Sequence, residues 1–167
     1  MKNNYEIQGN DTLIFMDYHG LKIITIIDTE DLSIAKSFEG KWYPYYNKKT
    51  KSYYTYGCSK CSLVQLHRLV MGNPVGLIID HVNHDTLLNK KHNLRRVTNA
   101  ENMQNLVRAY SNSKSGILGV TWNKQRNKWE CQIVIAGKHL YRALFNELED
   151  AKCAMESARK DLLPYSS

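Results

Sequence analysis

Short apolar runs dominate the first 57 residues and predict β-strands. IFMDYHGLKIITIID predicts two strands around a turn at His19-Gly20, and KWYPYYNKKTKSYYTYG predicts a hairpin around residues 47–50. Asp28 is a candidate N-cap for a short helix at residues 32–35. The tyrosines of the hairpin could stack on bases, but packing against neighbours is more usual for aromatic residues in strands.

The middle of the chain predicts a helix, two short strands and a second helix, in that order. Leucine and valine spacing at residues 62–71 predicts a helix, whereas LIID and NLRRV predict two short strands. Thr98 and Glu101 form the T-x-x-E pattern of a capping box, so a helix is expected to begin there and to run to about residue 109.

The last fifty or so residues predict three strands followed by one amphipathic helix. The strands are ILGVTW, KWECQIVIAG and KHLYRALF, and SNSKSG before them has the composition of a linker. The expected apolar stripe of the helix consists of Ala151, Ala154, Met155, Ala158 and Leu162. The predicted fold class is α+β, divided into residues 1–61, 62–110, 111–115 and 116–167.

Composition supports a folded protein outside the membrane. Hydrophobic residues make up 43% of the 167 residues, and no run of about 18 apolar residues is present. The first residues lack the basic and apolar regions of a secretory signal, so a cytoplasmic protein is expected.

The positive charge is concentrated in the middle of the chain. The formal net charge is +7, and residues 66–115 contain seven Lys or Arg against three Asp or Glu. The counts are eight against seven before this segment and eight against six after it. A basic excess at this position favours a polyphosphate partner such as double-stranded DNA.

The cysteines give little support to a zinc site. Cys58 and Cys61 have the spacing of half a zinc knuckle, and His67 could add a third ligand, but no second CxxC follows. A hairpin turn that contains two thiols is the favoured interpretation, and zinc is not expected as a cofactor.

Asp80 and His81 end an apolar strand and are candidates for metal-assisted hydrolysis. An imidazole with an ordinary pKa near 6.5 can take a proton from water at neutral pH. The Asp80 carboxylate is a hard oxygen ligand for Mg²⁺ or Mn²⁺, and Asn102 in the first turn of the following helix offers an amide oxygen. Taken alone, the Asp80-His81 pair is better interpreted as an ordinary pair at a strand end, with His81 hydrogen-bonded to a neighbour.

The segments 67–70, 80–81, 93–98 and 101–105 together resemble the ββα-metal fold of HNH nucleases, more specifically phage and intron-borne homing endonucleases. The resemblance implies that Asp80 and Asn102 hold one Mg²⁺ or Mn²⁺ ion. It also implies that His81 is the general base and that Asn93 holds the loop that orients it. Asn102 makes the chain an H-N-N variant.

Two loop positions depart from the family pattern. His84 stands where Gly is usual, and His92 precedes Asn93. These histidines could assist the metal or a phosphate, but solvent-facing loop residues are the favoured interpretation. Arg68, Arg95 and Arg96 are candidates for phosphate contacts, although Arg95 or Arg96 could instead extend across a strand face.

The segment 116–163 resembles an AP2 DNA-binding domain, in which a three-stranded sheet supported by one helix lies in the major groove. Strand alternation places four side chains against the helix, namely Trp129, Cys131, Ile133 and Ile135. Lys128, Glu130 and Gln132 then lie on the opposite face. Candidates for DNA contact are Arg126, Lys128, Gln132 and Arg142. The alternative is a merely solvated sheet face.

The expected function is therefore a metal-dependent DNA endonuclease of the homing type. A monomer with one site would nick one strand, and a homodimer would cut both. The alternatives are a non-cleaving AP2-type DNA-binding regulator with a decayed nuclease unit, and a zinc-stabilised binding module built on Cys58 and Cys61.

Overall fold

A computed structural model describes residues 1–59, 62–106, 109 and 113–166. Within these residues the chain forms eleven strands and four helices, so the expected α+β class is confirmed. The chain divides into two compact units, Met1–Val97 and Thr98–Ser167. In the described part of the chain, no helix is long and apolar enough to cross a membrane.

The first sheet of the N-terminal unit is antiparallel and contains β1 (Tyr5–Gln8), β2 (Asp11–Tyr18) and β3 (Leu21–Asp28) in that order. The predicted turn at His19-Gly20 is confirmed, because Tyr18 pairs with Leu21 across it. His19 and Gly20 have φ values of 52° and 84°, the left-handed conformation that two-residue hairpin turns require.

The second sheet contains β4 (Trp42–Asn47), β5 (Ser52–Ser59) and β6 (Ser62–Gln65). The predicted hairpin at residues 47–50 is confirmed, since Asn47 pairs with Ser52. The predicted helix over 62–71 is wrong in its first part. Residues 62–65 pair with β5, and only Leu66–Val70 form a helix, α2. Strand pairing overrides a helical spacing this short.

Asp28 does not cap a helix. A 3₁₀ turn, Thr29–Asp31, precedes α1 (Leu32–Ser37), and Asp28 makes no side-chain capping bond. Its carboxylate instead accepts the backbone N–H of Lys91 at 2.8 Å. The ammonium of Lys90 lies 3.6 Å from the same carboxylate. These cationic and backbone partners lie 62 and 63 residues away in sequence, so local pattern could not indicate them.

A two-stranded sheet of β7 (Ile78–His81) and β8 (Leu94–Val97) confirms both predicted short strands. These strands share one hydrophobic core with the first two sheets and the short helices. Its buried members include Ile14, Ile27, Trp42, Leu66, Val70, Ile79 and Leu94. The predicted N-terminal region and the predicted nuclease strands therefore form one unit, whose boundary lies at residue 97.

The second unit begins with the predicted capping box. The Thr98 hydroxyl accepts the Glu101 N–H at 3.3 Å, and the Thr98 N–H donates to the Glu101 carboxylate at 2.7 Å. Helix α3 (Asn99–Gln104) is shorter than expected. Residues 107–108 and 110–112, which include part of the predicted helix end and of the predicted linker, lie outside the described residues.

The rest of the second unit is a three-stranded sheet with one helix. Strands β9 (Val120–Asn123), β10 (Lys128–Ile135) and β11 (Lys138–Phe145) are antiparallel in the order β11-β10-β9, and α4 (Leu148–Leu162) packs on the sheet. The predicted inner residues of β10 belong to this core, namely Trp129, Cys131, Ile133 and Ile135.

The predicted apolar stripe of α4 is wrong at its C-terminal end. Ala151, Met155 and Ala158 are buried, but Leu162 is 40% exposed and Leu163 is buried in its place. The helix ends at Leu162, so the following residue no longer obeys the helical period.

Two glycines of the second unit provide a matched test of its packing. Both have positive φ, but a Cβ on Gly119 would lie 2.8 Å from the Gln132 carbonyl oxygen, whereas one on Gly137 would meet nothing within 4 Å. Gly137→Ala should cost about 1–2 kcal/mol through backbone conformation alone. We expect Gly119→Ala to cost about 1–3 kcal/mol more in urea unfolding. Equal losses of stability in the two variants would contradict the close packing of Gly119 against the Gln132 carbonyl.

Candidate active site

The β7–β8 hairpin places Asp80 and His81 where the strand ends, as expected. Asp80 lies opposite Arg95, and His81 lies opposite Leu94. A turn follows at once, because the His84 N–H donates to the His81 carbonyl at 3.1 Å. His84 has φ +63°, the left-handed conformation that favours glycine.

Asp80 is bound to the guanidinium of Arg95. Arg95 donates from Nε at 2.9 Å and from Nη2 at 2.8 Å, both to Asp80 Oδ2. The two residues are directly opposite across the hairpin, so the ion pair follows from strand register. Of the two roles proposed for Arg95, the structure shows the side chain extended across the strand face toward this partner.

Asn93 connects both sides of the loop between β7 and β8. Its side-chain oxygen accepts the Asn83 N–H at 3.0 Å, and its amide donates to the carbonyls of Leu88 at 2.9 Å and Asp85 at 3.3 Å. The side chain is 2% exposed. These bonds are the ones that a residue holding this loop would make.

The imidazole of His81 is buried, contrary to the expectation that it has an ordinary pKa. His81 is only 4% exposed. Burial lowers its pKa, and this effect is opposed by the hydrogen bond to Asn89 and by the Asp80 and Asp85 carboxylates. The ring is therefore neutral at pH 7, the state from which a general base starts.

Sequence reasoning missed the residues that surround this ring. Asn89 Oδ1 lies 3.1 Å from His81 Nε2. The rings of His67 and Tyr54 lie 5.1 Å and 6.2 Å from the His81 ring, both edge-on. Asn89 could have been suspected from the Asn-rich loop, but no local pattern places Tyr54 there.

His67 is buried beside His81. It is 5% exposed, its Nδ1 has no hydrogen-bond partner among the described residues, and burial lowers its pKa to about 3. Cys58 is exposed, whereas Cys61 lies outside the described residues. Among the residues described, no three His, Cys, Asp or Glu side chains form a metal-binding group.

The other predicted phosphate contacts of the first unit have internal partners. Arg68 donates to the backbone carbonyls of Leu77 at 2.9 Å and Pro74 at 2.6 Å. Arg96 donates to the Met71 carbonyl at 2.7 Å. Both guanidinium groups hold the segment between α2 and β7, and their contact with phosphate stays a prediction. His84 and His92 are exposed, as the favoured interpretation required.

Asn102 belongs to the second unit. It lies in α3, its N–H donates to the Thr98 carbonyl at 3.0 Å, and its side chain is half-buried. The role of Asn102 as a metal ligand stays a prediction.

The polar face of the C-terminal sheet carries a fixed arginine. Glu130 accepts from Arg142 Nε at 2.6 Å and from the Asn123 amide at 2.8 Å, and these bonds lower the pKa of the Glu130 carboxyl. Glu130 is buried, whereas the Arg142 side chain is 58% exposed. Gln132 is paired with Arg142 across the strands. Arg126 is exposed and Lys128 half-buried.

Comparison with known proteins gives one relative of limited coverage. Protein 3.8 of Escherichia phage T7 is 35% identical over 71 residues, which are 42% of this chain and 58% of the phage protein. The aligned part is thus less than two thirds of that relative. No protein-family model matches the chain, and no solved structure matches it.

The buried His67 should make the protein sensitive to acid. Because its pKa falls from 6.5 to about 3 on folding, the unfolded chain binds more protons between these values. The contribution of neutral His67 to the free energy of unfolding is therefore fully present above pH 6.5. It falls as the pH drops toward 3, by up to roughly 1.4 kcal/mol per pH unit.

We expect His67→Leu to flatten this decline in urea unfolding measured from pH 7 to pH 4, with little loss at pH 7. His92→Leu, at an exposed histidine, is the control and should retain the native profile. A His67→Leu variant that loses stability in acid as steeply as the native protein would contradict the assignment.

Proposed function

We propose that this chain is a metal-dependent DNA endonuclease of the HNH type. The observation that carries the proposal is the loop fixed by Asn93 around the end of β7, where Asp80 and His81 are adjacent. The same residue types occur in the same order in the family that the sequence resembles. The net charge of +7 supports a polyanionic substrate.

Both residue types suit a hard divalent cation. Asp80 offers carboxylate oxygen and Asn102 amide oxygen, the ligands that Mg²⁺ and Mn²⁺ prefer. Mg²⁺ commonly needs only one or two protein ligands beside substrate phosphate, so a large cluster of acidic residues is not required. A bound ion would supply charge stabilisation at the phosphate.

His81 is the proposed general base. Its buried ring is neutral at pH 7 and accepts the proton of the attacking water, while Asn93 holds the loop that follows His81. Water must therefore reach a ring that is 4% exposed in the structure. By the resemblance, the products carry 5′-phosphate and 3′-hydroxyl ends.

The C-terminal sheet is the proposed DNA reader. Its polar face presents Arg142, held by Glu130, beside Gln132. An arginine fixed in this way loses little side-chain entropy on binding. By resemblance to AP2 domains, this face would enter the major groove. Arg126 and Lys128 would add phosphate contacts.

Two observations favour a second candidate, a DNA-binding protein that does not cleave. They are the burial of His81 and the ion pair that occupies Asp80 Oδ2. A divalent ion would have to share Asp80 with the Arg95 guanidinium. A protein of this kind would bind DNA through the face of the C-terminal sheet but would not hydrolyse it.

The similarity to a phage T7 protein supports a phage-borne origin, and with it the cytoplasm of a bacterial host as the place of action. With one site per chain, a monomer nicks one strand and a homodimer cuts both strands.

Supercoiled plasmid incubated with Mg²⁺ or Mn²⁺ distinguishes the two candidates. The native chain should produce the nicked form, and His81→Ala should slow nicking by about 10²- to 10⁴-fold because the general base is lost. His92→Ala, at an exposed loop histidine, should nick at the native rate. DNA retardation without nicking by the native chain, or undiminished nicking by His81→Ala, would favour the non-cleaving protein.

A further inference from the structure

The first sheet holds the loop that contacts His81. Strand β3 and residues 87–89 are joined by two backbone hydrogen bonds, Ile26 N–H to the Leu87 carbonyl at 2.9 Å and Asn89 N–H to the Ile26 carbonyl at 2.7 Å. Ile26 and Leu88 form a parallel bridge at the same place. The backbone of Asn89 is thereby fixed against the N-terminal sheet.

The side chain of Asn89 is fixed as well. It is fully buried, and its Nδ2 donates to Thr25 Oγ1 at 2.7 Å and lies 3.4 Å from the Leu87 carbonyl oxygen. Thr25 Oγ1 donates its own proton to that carbonyl at 2.8 Å, so toward Asn89 it can only accept. A flipped amide would place Oδ1 against two oxygens that share the single Thr25 proton, so one oxygen–oxygen contact would lack a hydrogen.

The orientation of the Asn89 amide determines which tautomer His81 adopts. Asn89 Oδ1 lies 3.1 Å from His81 Nε2, and an amide oxygen only accepts hydrogen bonds. A neutral imidazole facing it must therefore carry its proton on Nε2, which leaves the lone pair on Nδ1.

We propose that Thr25 and Asn89 are positioning residues that hold His81 as the Nε2–H tautomer, with Nδ1 as the atom that receives a proton. The use of Nδ1 as a base rests on the proposed nuclease function, whereas the tautomer rests on the hydrogen bonds alone. The inference gives the N-terminal sheet a role in the site, because Thr25 lies in β3.

Nitrogen NMR of the metal-free protein at pH 8 tests the tautomer directly. Protonated and unprotonated ring nitrogens have well-separated ¹⁵N shifts, and His81→Gln identifies the His81 signals by their loss. In the native protein we expect a protonated Nε2 whose proton is protected from exchange by Asn89.

Matched variants separate positioning from packing. Thr25→Ser keeps the hydroxyl that accepts from the Asn89 amide, so it should retain the native ring signature. Asn89→Ala removes the acceptor, and Thr25→Val frees the Asn89 amide to turn. Both should lose the protected Nε2 proton and shift the ring nitrogens toward a mixture of tautomers. If Asn89→Ala does not fold, the comparison of Thr25→Val with Thr25→Ser still tests the inference.

An Nδ1–H tautomer in the native protein would overturn the inference, and so would a native ring signature in both Asn89→Ala and Thr25→Val. In the plasmid assay, Asn89→Ala and Thr25→Val should nick roughly 10- to 100-fold more slowly, whereas Thr25→Ser should nick at the native rate. If the native protein shows the expected ring signature but never nicks DNA, the positioning role of Thr25 and Asn89 is supported and the nuclease proposal is refuted. Failure of the tautomer proposal can therefore be distinguished from failure of the nuclease proposal.

Discussion

The hydrogen bonds between β3 and residues 87–89 are the constraint on which the candidate site depends. Burial of an amide side chain without partners costs several kcal/mol, and Asn89 is fully buried with every partner supplied by this junction or by His81. The junction also joins sequence segments about 60 residues apart. A fragment that begins at β7 would lack Thr25, so it would lack the group that orients Asn89.

The interior beside β7 contains several buried polar side chains. Buried positions that could hold apolar side chains hold His67, His81, Asn89 and Thr25. The buried Nδ1 of His67 has no partner within the described part of the unit, an arrangement that lowers stability. Proteins tolerate such costs chiefly at functional sites. The polar interior thus agrees with the proposed active site independently of the sequence resemblance.

Features with a local physical signal were predictable from the sequence. The His19-Gly20 turn, the Thr98 capping box and the inner face of β10 each depend on a few neighbouring residues. The strand at residues 62–65 was not predictable, because its leucine and valine spacing suits a helix and only pairing with β5 decides against it.

At the site, the adjacency of Asp80 and His81 and the loop position of Asn93 followed from chain order. The burial of His81 did not, because it depends on Tyr54 and His67, which reach it from other elements. The Asp80–Arg95 ion pair depends on strand register, which spacing alone left undecided. The burial of His81 and the ion pair of Asp80 therefore depend on packing and strand pairing between distant segments, which local sequence patterns do not indicate.

Direct measurement of metal binding tests the central claim, that the end of β7 is a divalent-ion site. Mn²⁺ titrated against the protein with a DNA duplex present, and followed by electron paramagnetic resonance, should show one bound ion per chain beyond the ions that the duplex alone binds. Asp80→Asn should weaken that binding at least about tenfold, whereas Asp17→Asn, at an exposed aspartate of β2, should not. Native protein that binds no Mn²⁺, or Asp80→Asn that binds it as tightly as native, would contradict the account.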